Sequence, residues 1–580
     1  MTDKHDETTE TASSGYQTPH PEGISIVLAG GAGHGIQSIE AILVNVLKKD
    51  GYHVFATKEY MSRIRGGVNS TQIRVSEKPV RSYVEGTDIF IPLDQASYER
   101  CKKNLKSTTA VLADASKLQA PNTIDIPFEK VASESGNPLF ANTVSAGVIC
   151  GILDVSQEIL YEYITTVFSK KGDDVVNGNI KAAQSGYLTG SQLKQSVRLT
   201  FNTIKKNKPT QSLLLSGTEA VTFGALAGGC DSCFAYPMTP STGVFTQMAS
   251  FAERAGVAVE QVEDEIGVVN MALGAWYAGA RPLVSTSGGG FALMTEGISL
   301  AGMIESPLVI HLAQRPGPAT GLPTRTEQGD LNLALYAGHG VFPRIILAPG
   351  DTEQAFELSA QAFTLADQYQ VPVFILTDQY FVDTYYDIPQ IRTENIKTER
   401  FITETTKDYK RYTLTEDGFS PRGIPGFGSG LVCTDSDEHD QSARITEELD
   451  DIALEMKNKR YKKFDSVKEN ALPPVLIGEE NYSRLIVGWG SVYNTVIEAM
   501  SIIDNSQTAF LFFPQLYPIH HSASELLQKA STVIAVENNQ TAQFAQLLTK
   551  ETGVGIDCKI LKYNGMPFSV EEVAEALNQG

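Results

Sequence analysis

The sequence predicts an α/β protein built from three modules. Three observations carry that expectation. Short β-branched runs alternate with helical stretches from residue 24 onward, glycine-rich turns follow several of those runs, and 580 residues exceed the roughly 100–200 of a single domain. With 42% hydrophobic and 20% charged residues the chain holds enough apolar material for several cores, which excludes a mainly disordered protein.

Residues 1–22 are polar and acidic and read as a disordered tail, with neither a signal peptide's apolar stretch nor a span. The first module covers residues 23–197. It opens with the strand-like Ile24-Ser25-Ile26-Val27-Leu28-Ala29, turns through Gly30 to Gly35, and continues into a helical pattern from Ile36 to Lys49. A strand, a glycine turn and a helix in that order aim backbone N–H groups at an anion. Further strands are expected at Val54–Thr57, Ile89–Leu93 and Ala110–Leu112, and Arg63-Ile64-Arg65-Gly66-Gly67 is a second place where cations and bare backbone meet. A polar linker is expected at 198–212.

The second module covers 213–396. A run rich in alanine and glycine (Gly217 to Gly229) precedes Phe234-Ala235, and Tyr236-Pro237-Met238-Thr239-Pro240-Ser241 follows. Prolines around hydroxyls at a strand end present Thr239 and Ser241; a helix N-cap by Ser241 or Thr242 is the plainer role. Glu263, Asp264 and Glu265 begin an apolar helix, where carboxylates suit the helix dipole. The strand Pro282–Thr286 runs into Ser287-Gly288-Gly289-Gly290, with a helix expected from Phe291. The strand Leu308–Leu312 ends in a long Pro/Gly/Thr loop carrying Arg315, Thr324 and Arg325. Loops at strand C-termini of α/β sheets commonly carry function, and each arginine is able to grip a carboxylate.

Residues 397–480 form a more polar connection. It includes Asp435-Ser436-Asp437-Glu438-His439-Asp440, whose spacing fits neither a zinc motif nor an EF-hand, so a solvated acidic loop is expected and no metal. A charged amphipathic helix is expected from Ile445 to Tyr461. The third module, 481–580, repeats the α/β pattern with strands at Leu485–Ser491, Ala509–Phe512 and Thr532–Val536.

Charge and cysteines narrow the function. The balance 47 − 68 = −21 argues against nucleic acid, because phosphate contacts need a basic surface. Six scattered cysteines are no disulfide scaffold, and the lone C-x-x-C pair, Cys230 and Cys233, cannot supply the four thiolates of an iron–sulfur cluster. No apolar run approaches the roughly 18–20 residues of a membrane span, so a cytoplasmic protein is expected.

Taken together, the motifs resemble the 2-oxoacid:ferredoxin oxidoreductases. Tyr236-Pro237-Met238-Thr239-Pro240-Ser241 is similar to their Y-P-[IM]-T-P-S signature. Arg315 to Thr324 resembles a second signature of the α subunit, particularly in the 2-oxoglutarate branch. Gly488-Trp489-Gly490-Ser491 and Val536-Glu537-Asn538-Asn539 resemble that subunit's transketolase C-terminal-like domain, and Asp437-Glu438-His439-Asp440 its G-[ND]-E-H-D element. The first module resembles the γ subunit, with His34 where that pattern has glutamine.

The resemblance implies a fused γ–α subunit: a γ-type domain, a pyrimidine-binding domain of thiamine diphosphate fold, and the transketolase C-terminal-like domain. It implies oxidative decarboxylation of a 2-oxoacid, by best match 2-oxoglutarate, with coenzyme A to acyl-CoA, carbon dioxide and reduced ferredoxin. A β subunit holding Mg²⁺, most of the thiamine diphosphate site and a 4Fe–4S cluster is implied as partner, in an (αβ)₂ heterotetramer. By the same resemblance, Glu265 is the carboxylate at the cofactor's aminopyrimidine, and Thr239 and Arg315 bind the 2-oxoacid. Thr324 and Arg325 are assigned to a distal carboxylate, and Gly33, Gly35, Arg65 and Gly66 to coenzyme A phosphates. A pyruvate or broad-specificity member of the family is the alternative. An NAD-dependent dehydrogenase and a non-catalytic scaffold are readings from other classes; the spacing of Gly31, Gly33 and Gly35 fits a dinucleotide fingerprint poorly.

Overall fold

The computed structural model describes residues 22–32, 34–61, 67–121, 123–195, 212–394, 396–503 and 506–579. All but Glu22 of the expected tail, and all of the expected linker but Ser212, lie outside these residues. The described chain forms three sheets of eight, seven and five strands, each flanked by helices.

The first sheet is centred on the strand Ile24–Gly31, which pairs parallel with Thr87–Pro92 and antiparallel with Val68–Ser76. Its side chains are buried on both faces, as a central strand under helices requires. The sheet continues through His53–Glu59 to two strands from much later in the chain, Tyr385–Ile388 and Leu213–Ser216. Asp387 fastens this seam, 2.7 Å from Lys48 Nζ and 2.6 Å from His53 Nδ1. On one face the helices Ala141–Ile152 and Asp173–Gln195 touch backbone to backbone. A Cβ on Gly147, Gly151, Gly186 or Gly190 would strike a carbonyl of the facing helix.

The second sheet has six parallel strands: Ile345–Leu347, Pro372–Asp378, Leu308–Gln314, Pro282–Thr286, Ser232–Ala235 and Ala258–Gln261. Gln515–Tyr517, from the third module, adds an antiparallel edge. The third sheet runs Val475–Gly478, Thr508–Phe512, Arg484–Gly488, Thr532–Glu537, Cys558–Leu561, antiparallel only at its first pair. One apolar cluster spans the second and third modules, from Phe234 and Phe291 to Trp489 and Phe544.

Three local expectations change. The helix expected from Phe291 starts three residues earlier, as Gly288–Leu293. The helix expected from Ile445 begins with a wide turn at Leu449–Ala453 and continues as Leu454–Glu469. The acidic segment at 435–440 is solvated only in part, with Ser436 and Asp437 exposed. His439 is fully buried with its ring 4.2 Å from that of Tyr412, and Glu438 accepts two bonds from Arg460, at 2.7 and 2.9 Å. Arg460, on the helix Leu454–Glu469, holds the segment by Glu438, and Lys459 and Lys463 of the same helix reach buried Glu305 at 2.7 and 2.5 Å. Burial alone would raise the Glu305 carboxyl, but Lys463, Lys459 and Arg411 hold it well below the usual carboxylate range. A second buried cluster, Arg281 and Arg422 on Asp367, ties the connection to the central module. Removing one partner of such a set costs about 3–5 kcal/mol.

Candidate active site

The site lies at the C-terminal edge of the central parallel sheet, where the chain leaves four strands. Ser232–Ala235 runs into the Tyr236–Ser241 turn, Pro282–Thr286 into the glycines, Leu308–Gln314 into the loop from Arg315 to Asp330, and Pro372–Asp378 into the helix Gln379–Asp383. Parallel strands place these exits side by side.

The strand Ala258–Gln261 leads to Asp264, whose Oδ1 accepts from the Gly267 N–H at 2.7 Å and so caps the helix Glu265–Tyr277. That cap leaves Glu265 free of the capping task, and it points inward with 4% exposure. Its carboxylate abuts Gly290: a Cβ there would lie 2.8 Å from Glu265 Oε1.

Thr239 and Arg315 are brought together. Arg315 Nη1 donates to the Thr239 carbonyl at 2.6 Å, which leaves the threonine hydroxyl and the rest of the guanidinium unengaged by this bond. Burial pulls the Arg315 pKa down and Asp330 pushes it back up. Ser241 stands at the N-cap position of the helix Thr242–Ala255, yet its hydroxyl donates to the Met238 carbonyl at 2.7 Å rather than capping, which closes the turn.

The other expected residues separate. Thr324 is buried on the Arg315 loop. The Arg325 guanidinium turns to the first module and pairs with Glu59 at 2.7 Å, with Met566 Sδ of the third module at 3.8 Å. Gly35 caps the helix Ile36–Lys49 with φ +73°, a conformation glycine adopts without strain, and the Asn142 amide fills its side-chain space. A cavity of about 310 Å³ beside that turn is lined by His34, Asp94, Lys117 and Asn142 among others. Gly33, Arg65 and Gly66 lie outside the described residues. Cys230 and Cys233 are buried in the junction before and within the strand Ser232–Ala235, and burial pushes the Cys230 thiol up to about 12.

Two residues of this edge escaped the sequence reading, which followed the loop only to Thr326. Gln328 is fully buried and clamps the third module: its Nε2 donates to the Trp489 carbonyl at 2.7 Å, its backbone N–H donates to the Asn538 carbonyl at 2.8 Å, and its Oε1 accepts from the Asn538 N–H at 2.8 Å. Asp330 places its carboxylate against Gly288. Both follow Arg325 closely in sequence, and polar side chains continuing past a functional loop are the signal that was there to read.

Residues 25–189 match the pyruvate ferredoxin/flavodoxin oxidoreductase model, and residues 223–458 match the pyruvate flavodoxin/ferredoxin oxidoreductase, thiamine diphosphate-binding model. The α subunit of a Sulfolobus 2-oxoacid:ferredoxin oxidoreductase is 31% identical over 96% of both chains. The chain belongs to the 2-oxoacid:ferredoxin oxidoreductase family. A second relative of this oxidoreductase family, the KorA subunit of Mycobacterium tuberculosis 2-oxoglutarate oxidoreductase, is 25% identical over 95% of this chain and 90% of that one. Among solved structures, the 2-oxoglutarate:ferredoxin oxidoreductase of Magnetococcus marinus, with 2-oxoglutarate, coenzyme A and succinyl-CoA bound, superposes with a TM-score of 0.90. It is 28% identical and aligns over 97% of this chain and all of that one. Like these relatives, the protein is an enzyme of the oxidoreductase class.

Proposed function

We propose that this chain is the α subunit, with a fused γ-type module, of an enzyme that oxidatively decarboxylates a 2-oxoacid with coenzyme A, and that 2-oxoglutarate is the substrate. The observation that carries the reading is buried Glu265 at a helix start, set against a strip of side-chain-free backbone and sharing its sheet edge with the Arg315–Thr239 pair. The strip suits the flat aminopyrimidine of thiamine diphosphate: Gly289 is exposed and Gly288 partly so, and a ring is able to lie against them. Thiamine diphosphate supplies the nucleophilic carbon and the electron sink for decarboxylation. Glu265 holds a proton at the pyrimidine nitrogen, Arg315 takes the substrate carboxylate, and the Thr239 hydroxyl donates to a substrate oxygen. The dicarboxylate relatives support Thr324 and Arg325 as the distal carboxylate site. For coenzyme A, the turn at Gly33 and Gly35 with Arg65 and Gly66 is the candidate.

Exposed Tyr236, Ile266, Leu293 and Leu322 lie on the segments that carry the site. Apolar residues around an open catalytic edge fit a surface that a partner covers. That partner is a β subunit supplying Mg²⁺, the 4Fe–4S cluster and the route to ferredoxin, in an (αβ)₂ assembly in the cytoplasm. The module limits 23–197, 213–396 and 481–580 belong to the same proposal. Among the described residues no helix is long and apolar enough to cross a membrane.

The test is co-expression with the β subunit and acceptor reduction by a panel of 2-oxoacids plus coenzyme A. 2-Oxoglutarate should give the highest kcat/KM, and Glu265→Gln should lower kcat by about 10²-fold or more. Strict preference for pyruvate overturns the substrate assignment. Wild-type turnover in the Gln variant overturns the role of Glu265.

A further inference from the structure

Of the three glycines after the strand Pro282–Thr286, Gly288 and Gly290 have their side-chain space taken, and Gly289 makes only an ordinary contact. A Cβ on Gly290 would press on Glu265, one on Gly289 would reach Met238 Sδ at 3.7 Å, and one on Gly288 would lie 2.5 and 2.7 Å from the two carboxylate oxygens of Asp330. Glu265 and Asp330 therefore flank one short strip of backbone, with Met238 between them. Nothing in the assigned chemistry uses the second acid.

The backbone at Asp330 is held firmly. Its N–H donates to Gln314 Oε1 at 3.0 Å, and two residues earlier Gln328 is clamped to Asn538. The side chain is not: Oδ2 is buried and has no hydrogen-bond partner among the described residues. A buried carboxylate oxygen left in this way is kept at a cost to the fold, so a role outside the fold is the reason to look for. The charged groups acting on it are Glu327, on its own loop, and Arg315, at the end of the neighbouring strand; Glu265 lies across the glycine strip. Burial, with Glu327 adding to it and Arg315 opposing, pushes the Asp330 carboxyl up to about 6.

We propose that Asp330 is a positioning residue that tempers Arg315, so that the guanidinium holds the 2-oxoacid carboxylate firmly enough to bind it and weakly enough to let it leave. The inference rests on Arg315 being the carboxylate's partner. The 2-oxoacid carboxylate is anionic in the ground state and departs as neutral carbon dioxide. An arginine with nothing opposing it stabilises the ground state more than the transition state and slows the step. The Asp330 carboxylate, itself largely buried and acting on Arg315 without pairing with it directly, removes part of that excess. The sign with pH follows. Above about 6 Asp330 is ionised and Arg315 is tempered; as pH falls through that value the acid is neutralised and the grip on substrate tightens.

The experiment uses the complete complex with its β subunit and measures initial rates against 2-oxoacid concentration from pH 5.5 to 8. In wild type, kcat and KM should fall together on the acid side. Asp330→Asn keeps the shape and removes the charge. It should lower KM about 3- to 10-fold and kcat by at least as much at pH 7.5, and should lose the acid-side fall. Asp330→Ser, which removes the charge in a smaller side chain, should shift both constants in the same direction and serves if the Asn variant does not assemble. A variant whose KM is unchanged or raised, or which keeps the wild-type acid limb, overturns the proposal. An active wild-type complex with such a variant refutes only the role of Asp330, whereas a wild-type complex that turns over no 2-oxoacid refutes the functional reading beneath it.

Discussion

His311 stands in the middle of the central sheet with no exposure, its Nδ1 3.0 Å from Ser285 Oγ and its Nε2 2.8 Å from Thr377 Oγ1. The row spans three adjacent strands, and Ser285 passes it on to the Ser241 carbonyl at 3.3 Å, under the turn that carries Thr239. Burial pushes the His311 pKa down to about 3, so the ring stays neutral in the folded protein. The unfolded chain takes up a proton near pH 6.5 and the folded one does not, so this residue's contribution is complete above 6.5 and is lost progressively as pH falls towards 3. The slope is up to about 1.4 kcal/mol per pH unit. Thermal unfolding at pH 7 and pH 5 should show a smaller acid-induced drop for His311→Asn than for wild type; equal drops would remove His311 as the cause. The sequence pattern placed three acids, Glu263, Asp264 and Glu265, at the start of an apolar helix, and only the family resemblance singled out Glu265 among them. His311 and Asp330 were not legible, because their isolation from water is made by strands that meet only in the fold.

At the scale of elements, the glycine strip shows where local reading stops. Glycine is a poor helix former, which is why the helix was expected only from Phe291. The helix nevertheless starts at Gly288, and its first turn is built on glycine where Asp330 and Glu265 occupy the space that side chains would need at Gly288 and Gly290. The same strip yields a contrast between neighbours. A Cβ on Gly290 would meet Thr286 Oγ1 and lie 2.8 and 2.9 Å from Glu265 Oε1 and Cγ, whereas on Gly289 its nearest contact is 3.7 Å away. Gly290→Ala should therefore displace Glu265 and lower kcat about 10²-fold, the scale of a misplaced reacting group, while Gly289→Ala, whose Cβ would enter the face proposed for the pyrimidine, should weaken thiamine diphosphate binding and leave kcat at saturating cofactor within a few-fold. Comparable losses in both, measured in the assembled complex, would show that the strip serves the fold and not the position of Glu265. The strand, turn and helix order of the first module was readable from periodicity. Its extension by Leu213–Ser216 and Tyr385–Ile388 was not, since no local pattern says which distant edge a strand will join.

Across the whole molecule, the three modules meet around the loop that carries Arg315. Gln328 joins it to the third module, and Arg325 joins it to both others: Glu59 accepts from its guanidinium at 2.7 Å, and Gly565 packs against its stem. Arg100 also reaches Glu59, at 3.1 Å, so two cations share one carboxylate. A small cavity of about 60 Å³ lies at this junction, lined by residues of all three modules, Gln72, Arg325 and Pro567 among them. For the proposed distal-carboxylate role, a second anionic group on the substrate has to compete with Glu59 for the Arg325 guanidinium, which the first module already holds. Arg325→Met should therefore raise KM for 2-oxoglutarate by about 10-fold or more, the scale of a lost charged hydrogen bond, and leave a monocarboxylic 2-oxoacid almost unchanged. Glu59→Gln should act in the opposite direction on 2-oxoglutarate alone, by releasing the arginine from its internal partner. Equal effects of Arg325→Met on both substrates, with a lower unfolding temperature, would instead make Arg325 a fastener between modules and place the distal carboxylate elsewhere on the same sheet edge.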